Sequence, residues 1–266
     1  MTELDPSILS FYEPLPDGSF RSTQATVGPW DRRLQHGSPP ISLMARALEQ
    51  SIPSSPSMRI SRLSVEFLGP VPLADVQITT ECVRPGRRVE LWSANLEASG
   101  RSALRATSWK ILAEPGRSTE AGSDERPPPI PAAQPRELFE GVDWVGYGHA
   151  LEWRFVSGSF VELGPAVVWT RALLPLVPGE PITPLQRVLL MLDSANGVSA
   201  ELPAKSWTFV PVDFTVVLYR HPRSEWVGMD ARSVIGNDGV GMTHARIFDE
   251  EGTLGRSVHT LFIARR

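Results

Sequence analysis

The sequence predicts an α+β chain of two similar halves, each a buried helix followed by four antiparallel strands. Three observations predict it. A stretch poor in apolar residues, Glu114 to Pro135, divides the 266 residues near their middle. On each side of it lies one helix-like segment that is apolar nearly all round. Four strand-like runs follow each such segment, and the last two recur at an offset of about 150 residues.

The elements follow in chain order. Ser19 to Thr26 is extended. His36 to Gln50 reads as a helix, with Ser38 before Pro39 as a start signal. Its residues Ile41, Leu43, Met44, Ala45, Ala47 and Leu48 make it apolar nearly all round, so the helix is expected inside. Ile60 to Leu68, Val76 to Arg84, Arg88 to Ala98 and Ala103 to Leu112 alternate with period two and carry β-branched and aromatic residues. Turn signals separate the runs, among them Arg84-Pro85-Gly86 and Ser99-Gly100. Together they predict a meander. Glu114 to Pro135 has no aromatic residue and one large aliphatic, Ile130, so it buries too little to offset its ordering entropy and reads as a linker.

The second half repeats the order. Leu151 to Ser157 and Ala166 to Leu173 are extended. Thr183 to Ala195 reads as a helix that Thr183 caps, with Pro184 in the first turn. Phe209 to Tyr219, Val227 to Ile235, Val240 to Asp249 and Gly255 to Ile263 are the four strands. The expected units are 1–113, the linker 114–135, and 136–266.

Composition narrows the function classes. Apolar content of 41% and charged content of 21% are ordinary for a globular protein. The net charge of −4 gives no reason to expect nucleic acid or a membrane surface as partner. No apolar run approaches the roughly 20 residues of a membrane span, and Met1 to Ser10 lacks a signal-peptide pattern. The one cysteine, Cys82, has no partner for an intramolecular disulfide, which suits a reducing, cytoplasmic setting. Its bland role is a buried inert thiol. No His/Cys/carboxylate spacing suggests a metal, and no glycine-rich phosphate loop or Gly-x-Ser-x-Gly elbow is present.

Chemistry has few candidates. Asp193 follows Leu189-Leu190-Met191-Leu192, and a carboxylate so placed is costly unless partnered. It reads either as an acid that orients water or as a cap for the Asn196-Gly197 turn. The first helix has no carboxylate until Glu49, so one working site per pair of halves is expected. Alternation puts Ser257, His259 and Leu261 on one face of the last strand, which would bring His259 towards Asp193; a satisfied core histidine is the plain alternative. His36, Gly37 and Ser38 open the first helix, where unpaired N–H groups suit an oxyanion. Arg32, Arg33, Arg84, Arg87 and Arg88 could meet phosphates or simply be solvated.

At these residues the chain resembles the TesB-like acyl-CoA thioesterases of actinobacterial type. Gly28 to Pro40 and Val65 to Leu73 carry the likeness in the first half. Glu152 to Phe160, Pro184 to Ala200, Val212 to Arg220 and Gly255 to Phe262 carry it in the second. The resemblance implies a double hotdog: two antiparallel sheets, each wrapped around a buried central helix. It also implies hydrolysis of an acyl-CoA by activated water, no cofactor, and a homodimer. In the family an Asp, a hydroxyl residue and a Gln hold the water. Asp193 matches the Asp, His259 stands at the Gln position, and Pro211 occupies the hydroxyl position. Thr215, placed by alternation on the same strand face as Pro211, is the expected substitute. Two other readings stay open: an acyl-CoA-binding protein with a degraded centre, and a hotdog enoyl-CoA hydratase using the Asp31-x4-His36 pair.

Overall fold

The computed structural model describes residues 4–53, 55–122, 125–136 and 146–266. Residues 1–3 of the expected leader-free start, and 123 and 124 of the expected linker, lie outside the described residues.

In the first half, short strands β1 (Tyr12–Pro14) and β2 (Phe20–Ser22) precede a 3-10 turn and helix α1 (Ser38–Gln50). Strands β3 (Met58–Phe67), β4 (Asp75–Arg84), β5 (Val89–Ala98) and β6 (Arg101–Leu112) follow. In the second half a single turn, α2 (Gly146–His149), leads into β7 (Leu151–Ser157) and β8 (Ala166–Ala172). Helix α3 (Pro184–Leu192) and the one-turn α4 (Ala195–Val198) come next, then β9 (Trp207–Leu218), β10 (Val227–Ile235), β11 (Val240–Asp249) and β12 (Gly252–Arg265). The expected helix through Ala195 stops at Asp193, which is the C-cap of α3. The extended reading of Ser19 to Thr26 holds for β2 but gives way to the 3-10 turn at Gln24–Thr26, which Thr23 caps.

The expected meander is only partly realised. Strands lie in the order β1-β2-β4-β5-β6-β3-β9-β12-β11-β10-β8-β7. In each half the first long strand crosses over and pairs with the last: β3 beside β6, and β9 beside β12. In place of the two sheets expected, the described residues form one continuous antiparallel sheet of 12 strands. The seam pairs β3 with β9, from Arg62↔Val217 to Glu66↔Asp213. The crossover explains this. It leaves β3 and β9 as the free edges of their halves, and each edge satisfies its backbone N–H and C=O groups on the other. At the far edge, β7 is covered by the Pro-rich stretch. The Gln134 side chain donates to Phe155 O (2.8 Å) and accepts from Phe155 N–H (2.8 Å).

Helices α1 and α3 pack against each other inside this sheet and share one contiguous core with both halves. They run antiparallel. Ser38 at the start of α1 meets Asp193 at the end of α3, through an Asp193 N–H to Ser38 Oγ bond of 3.2 Å. Glu49 near the end of α1 meets Thr183 and Gln186 at the start of α3.

Candidate active site at the helix junction

A cavity of about 580 Å³ opens where the α1 start faces the α3 end. His36, Gly37, Asp193, Ser194 and Tyr147 line one polar side, and the rings of Trp30, Phe67, Trp153, Phe160 and Phe262 line part of the rest. Both halves contribute, so neither forms the site alone.

The start of α1 is poor in free donors. Pro39 and Pro40 have no N–H, which removes two of the groups a helix start ordinarily leaves unpaired. The Ser38 N–H donates to His36 Nδ1 at 3.1 Å. The Gly37 N–H faces the Asp193 carboxyl and draws its pKa down somewhat. Glycine leaves room for them: a Cβ on residue 37 would sit 2.6 Å from Asp193 Oδ2 and 2.8 Å from the Phe67 ring, so a side chain there must displace one or the other.

Asp193 is buried, and burial raises its pKa to about 8. Its Oδ2 lies 3.5 Å from His36 Nδ1, while its Oδ1 is buried with no hydrogen-bond partner. Burial lowers the pKa of His36 to about 3, so the ring is neutral at pH 7. Because Nδ1 accepts from Ser38, the ring proton belongs on Nε2. The site therefore pairs a carboxyl that changes charge near pH 8 with a neutral imidazole that keeps one N–H to donate.

Tyr147 locks this pair. Its ring stacks flat on His36, with centroids 3.8 Å apart and planes 5° from parallel. Its hydroxyl donates to Leu190 O (2.6 Å) and bonds Ser194 Oγ (2.6 Å), so it ties the α1 start to the end of α3. Its backbone N–H reaches Val27 O of the first half at 3.1 Å. Sequence reading missed Tyr147 and Ser194. The only signal for Tyr147 is a tyrosine between two glycines just before a strand, which is weak.

Other expected residues are placed elsewhere. His259 does face inward, as alternation requires, and is fully buried. Yet its ring stacks on Phe214, does not line the cavity, and neither nitrogen has a hydrogen-bond partner. Burial lowers its pKa to about 4, so it is neutral and makes no ion pair with Asp193. Thr215 is not on the face of Pro211. The β9–β12 register shifts between Thr260 and Leu261, so that Pro211 lines the cavity while Thr215 lies on the outer face, 2.8 Å from Ser64 Oγ. Such a bulge reverses which side chains point inward beyond it. Asp31 touches the cavity but not His36. It is held by Arg33 (2.7 Å), whose hydrogen bonds lower the Asp31 pKa to about 2. The hydratase pair is thus not assembled. Arg84, Arg87 and Arg88 sit at the β4–β5 turn and do not line the cavity, whereas Arg266 does. Among the described residues no group of His, Cys, Asp and Glu side chains could hold a metal ion. No helix of the described residues is long and apolar enough to cross a membrane.

Comparison with known proteins identifies the family and the fold. Residues 26–111 match the family model of the acyl-CoA thioesterase N-terminal domain, and residues 124–263 match that of the C-terminal domain. No curated protein matches the sequence. A candidate thioesterase from Novosphingobium aromaticivorans superposes with a TM-score of 0.74 at 16% identity, over 95% of this chain and 98% of that one. A hotdog-fold protein of unknown function from Alicyclobacillus acidocaldarius superposes at 0.66 and 18% identity, over 94% and 92%. The acyl-CoA thioesterase II TesB2 of Mycobacterium marinum does so at 0.65 and 18%, over 96% and 94%. At these identities the superpositions establish a hotdog α+β fold.

Proposed function

Because this chain belongs to the acyl-CoA thioesterase family, we propose that it hydrolyses acyl-CoA by a water molecule that Asp193 activates. The observation that carries the proposal is Asp193 itself: a buried carboxyl facing a cavity, with one oxygen unpartnered and the other against His36. The thioester carbonyl accepts from His36 Nε2–H. Water attacks the carbonyl carbon, a C–O bond forms, and the water proton passes to Asp193. Charge gathers on the former carbonyl oxygen, where the neutral imidazole donor stabilises it. Collapse breaks the C–S bond, and Asp193 returns the proton to the departing thiolate. A carboxyl with a pKa of about 8 suits both halves of that exchange. Gly37 holds the carboxyl, and Ser38 holds the His36 ring in the right tautomer. His259 and Thr215 have no role in these steps.

The finer organisation is part of the same reading. The chain is a double hotdog with halves 1–113 and 136–266 and a linker at 114–135. The matched order of strands on either side of the β3–β9 seam supports this. A homodimer in the cytoplasm is the setting that the resemblance and the lone, unbridged Cys82 favour.

The test is CoA release from an acyl-CoA panel, followed with a thiol reagent, by wild-type protein and by Asp193→Asn with matched thermal stability. Turnover that vanishes in the variant supports the mechanism. Equal rates would remove Asp193 from it. Tight acyl-CoA binding without turnover in the wild type would favour the binding-protein reading, which rests on Pro211 standing where a hydroxyl is expected.

A further inference from the structure

The cavity has two unlike ends. One is an aromatic corner of Tyr147, Trp153 and Phe160. The other is Trp30, Phe262 and Arg266, with the Arg266 guanidinium 4.9 Å over the Trp30 ring. The two ends belong to separate packed clusters: Tyr147, Trp153 and Phe160 sit in the main core, and Trp30 packs on the smaller cluster around Phe209. Exposure orients them. Trp153 and Phe160 are only 8% and 9% exposed, while Phe262 is 52% exposed and Arg266 lies on the surface.

We propose that the aromatic corner is the acyl subsite and that it selects short or ring-bearing acyl groups over long chains, with the CoA arm leaving past Trp30 and Arg266. The inference rests on the thioesterase reading and adds its substrate class. The phosphates of CoA must stay in water, so the nucleotide lies at the exposed end, where Arg266 carries the matching charge. The thioester carbon must reach Asp193 and His36. What lies beyond is the corner, because Tyr147 is stacked on His36 and leads to Trp153.

The corner cannot yield easily. Trp153 meets Phe160 edge to face at 5.0 Å, and Phe160 meets Phe155 at 5.3 Å. Trp153 Nε1–H is bound to Gly148 O at 3.1 Å. Moving one ring would break several contacts at once. An extended long acyl chain would have to pass these rings, so it has no path while the corner stays shut. Ring edges and faces fixed in this way suit a flat or compact acyl group.

The experiment compares kcat/KM for phenylacetyl-, butyryl- and palmitoyl-CoA. Phenylacetyl-CoA is expected to exceed palmitoyl-CoA by about tenfold or more. Trp153→Ala, or Phe160→Ala if the first variant folds poorly, is expected to raise the palmitoyl rate relative to phenylacetyl. Arg266→Ala should raise KM for phenylacetyl-CoA, most at low salt, and leave KM for the phosphate-free N-acetylcysteamine thioester unchanged. Palmitoyl-CoA preferred by the wild type, or an equal effect of Arg266→Ala on both thioesters, would overturn the assignment while leaving the hydrolase reading intact. Turnover of none of these thioesters would overturn both.

Discussion

Helices α1 and α3 are antiparallel, so each brings an acid near its C-terminal end to the other's N-terminus, and the two junctions start from the same parts. At one, Glu49 accepts from Thr183 Oγ1 (2.9 Å) and Gln186 Nε2 (2.9 Å). Burial raises its pKa, while those hydrogen bonds and the Lys110 charge oppose the shift. Thr183 and Gln186 also form a capping box, so the start of α3 is satisfied internally. At the other junction Asp193 faces a helix start without a side-chain cap, and Oδ1 has no partner. The first junction spends its acid on stability. The second leaves its acid able to react, which is where an uncompensated buried carboxyl is expected to serve function.

The comparison can be broken by exchanging these roles. The largest expected effect is Asp193→Ala, which should lower kcat by about 10²–10⁴-fold. Glu49→Gln should leave kcat within about twofold, because nothing at that junction faces the thioester. If Glu49→Gln were as damaging to kcat as Asp193→Ala, the distinction between the two ends would fail. Next is His36→Phe, which keeps a ring against Tyr147 but loses the N–H donor, with an expected fall of about 10²–10³-fold in kcat. Gly37→Ala should cost activity through displacement of Asp193 and Phe67, read as lower kcat with the far-UV spectrum unchanged.

Smaller effects sharpen the contrast in stability. Glu49→Ala leaves Thr183 and Gln186 short of an acceptor and should destabilise by about 1–3 kcal/mol in urea unfolding. Asp193→Asn should act in the opposite direction, and only at higher pH. The folded pKa of about 8 exceeds the unfolded value, so the native state holds the proton more tightly and loses stability as pH rises from about 4 to about 8. The asparagine variant lacks that loss. Its Tm should match wild type near pH 4 and exceed it near pH 8. A Tm difference that does not grow with pH would mean Asp193 titrates normally. The same titration predicts that kcat/KM rises with pH up to about 8 and then levels, since the base must be ionised in the free enzyme.

Much of this was legible one element at a time. Period-two alternation located β10 and β11 to the residue, and the apolar runs with Pro after Ser38 and Thr183 located both central helices. Asp193 stood out as a carboxylate after four large apolar residues. Thr215 was misread because alternation counts residues and a bulge adds one. Val212 is the extra residue, and its insertion depends on the partner strand. His259 was read to the correct face, but a face is wider than a site, and the ring went to Phe214. Tyr147 was invisible because its importance lies in what it touches: Leu190 and Ser194, more than 40 residues away in the chain, and His36 in the other half.

The sequence by itself determined where the long helices and strands lie, that the order of one buried helix and four strands occurs twice, and which acid is costly to bury. These follow from local propensity and periodicity, which act over a few residues. Only the tertiary structure decided that the strands join in one sheet through β3 and β9, that Asp193 meets His36 while His259 does not, and that a cavity opens beside that pair. Those depend on the crossover of β3 and β9, on one bulge and on the antiparallel packing of two helices. Each is a contact between distant residues that no local pattern encodes.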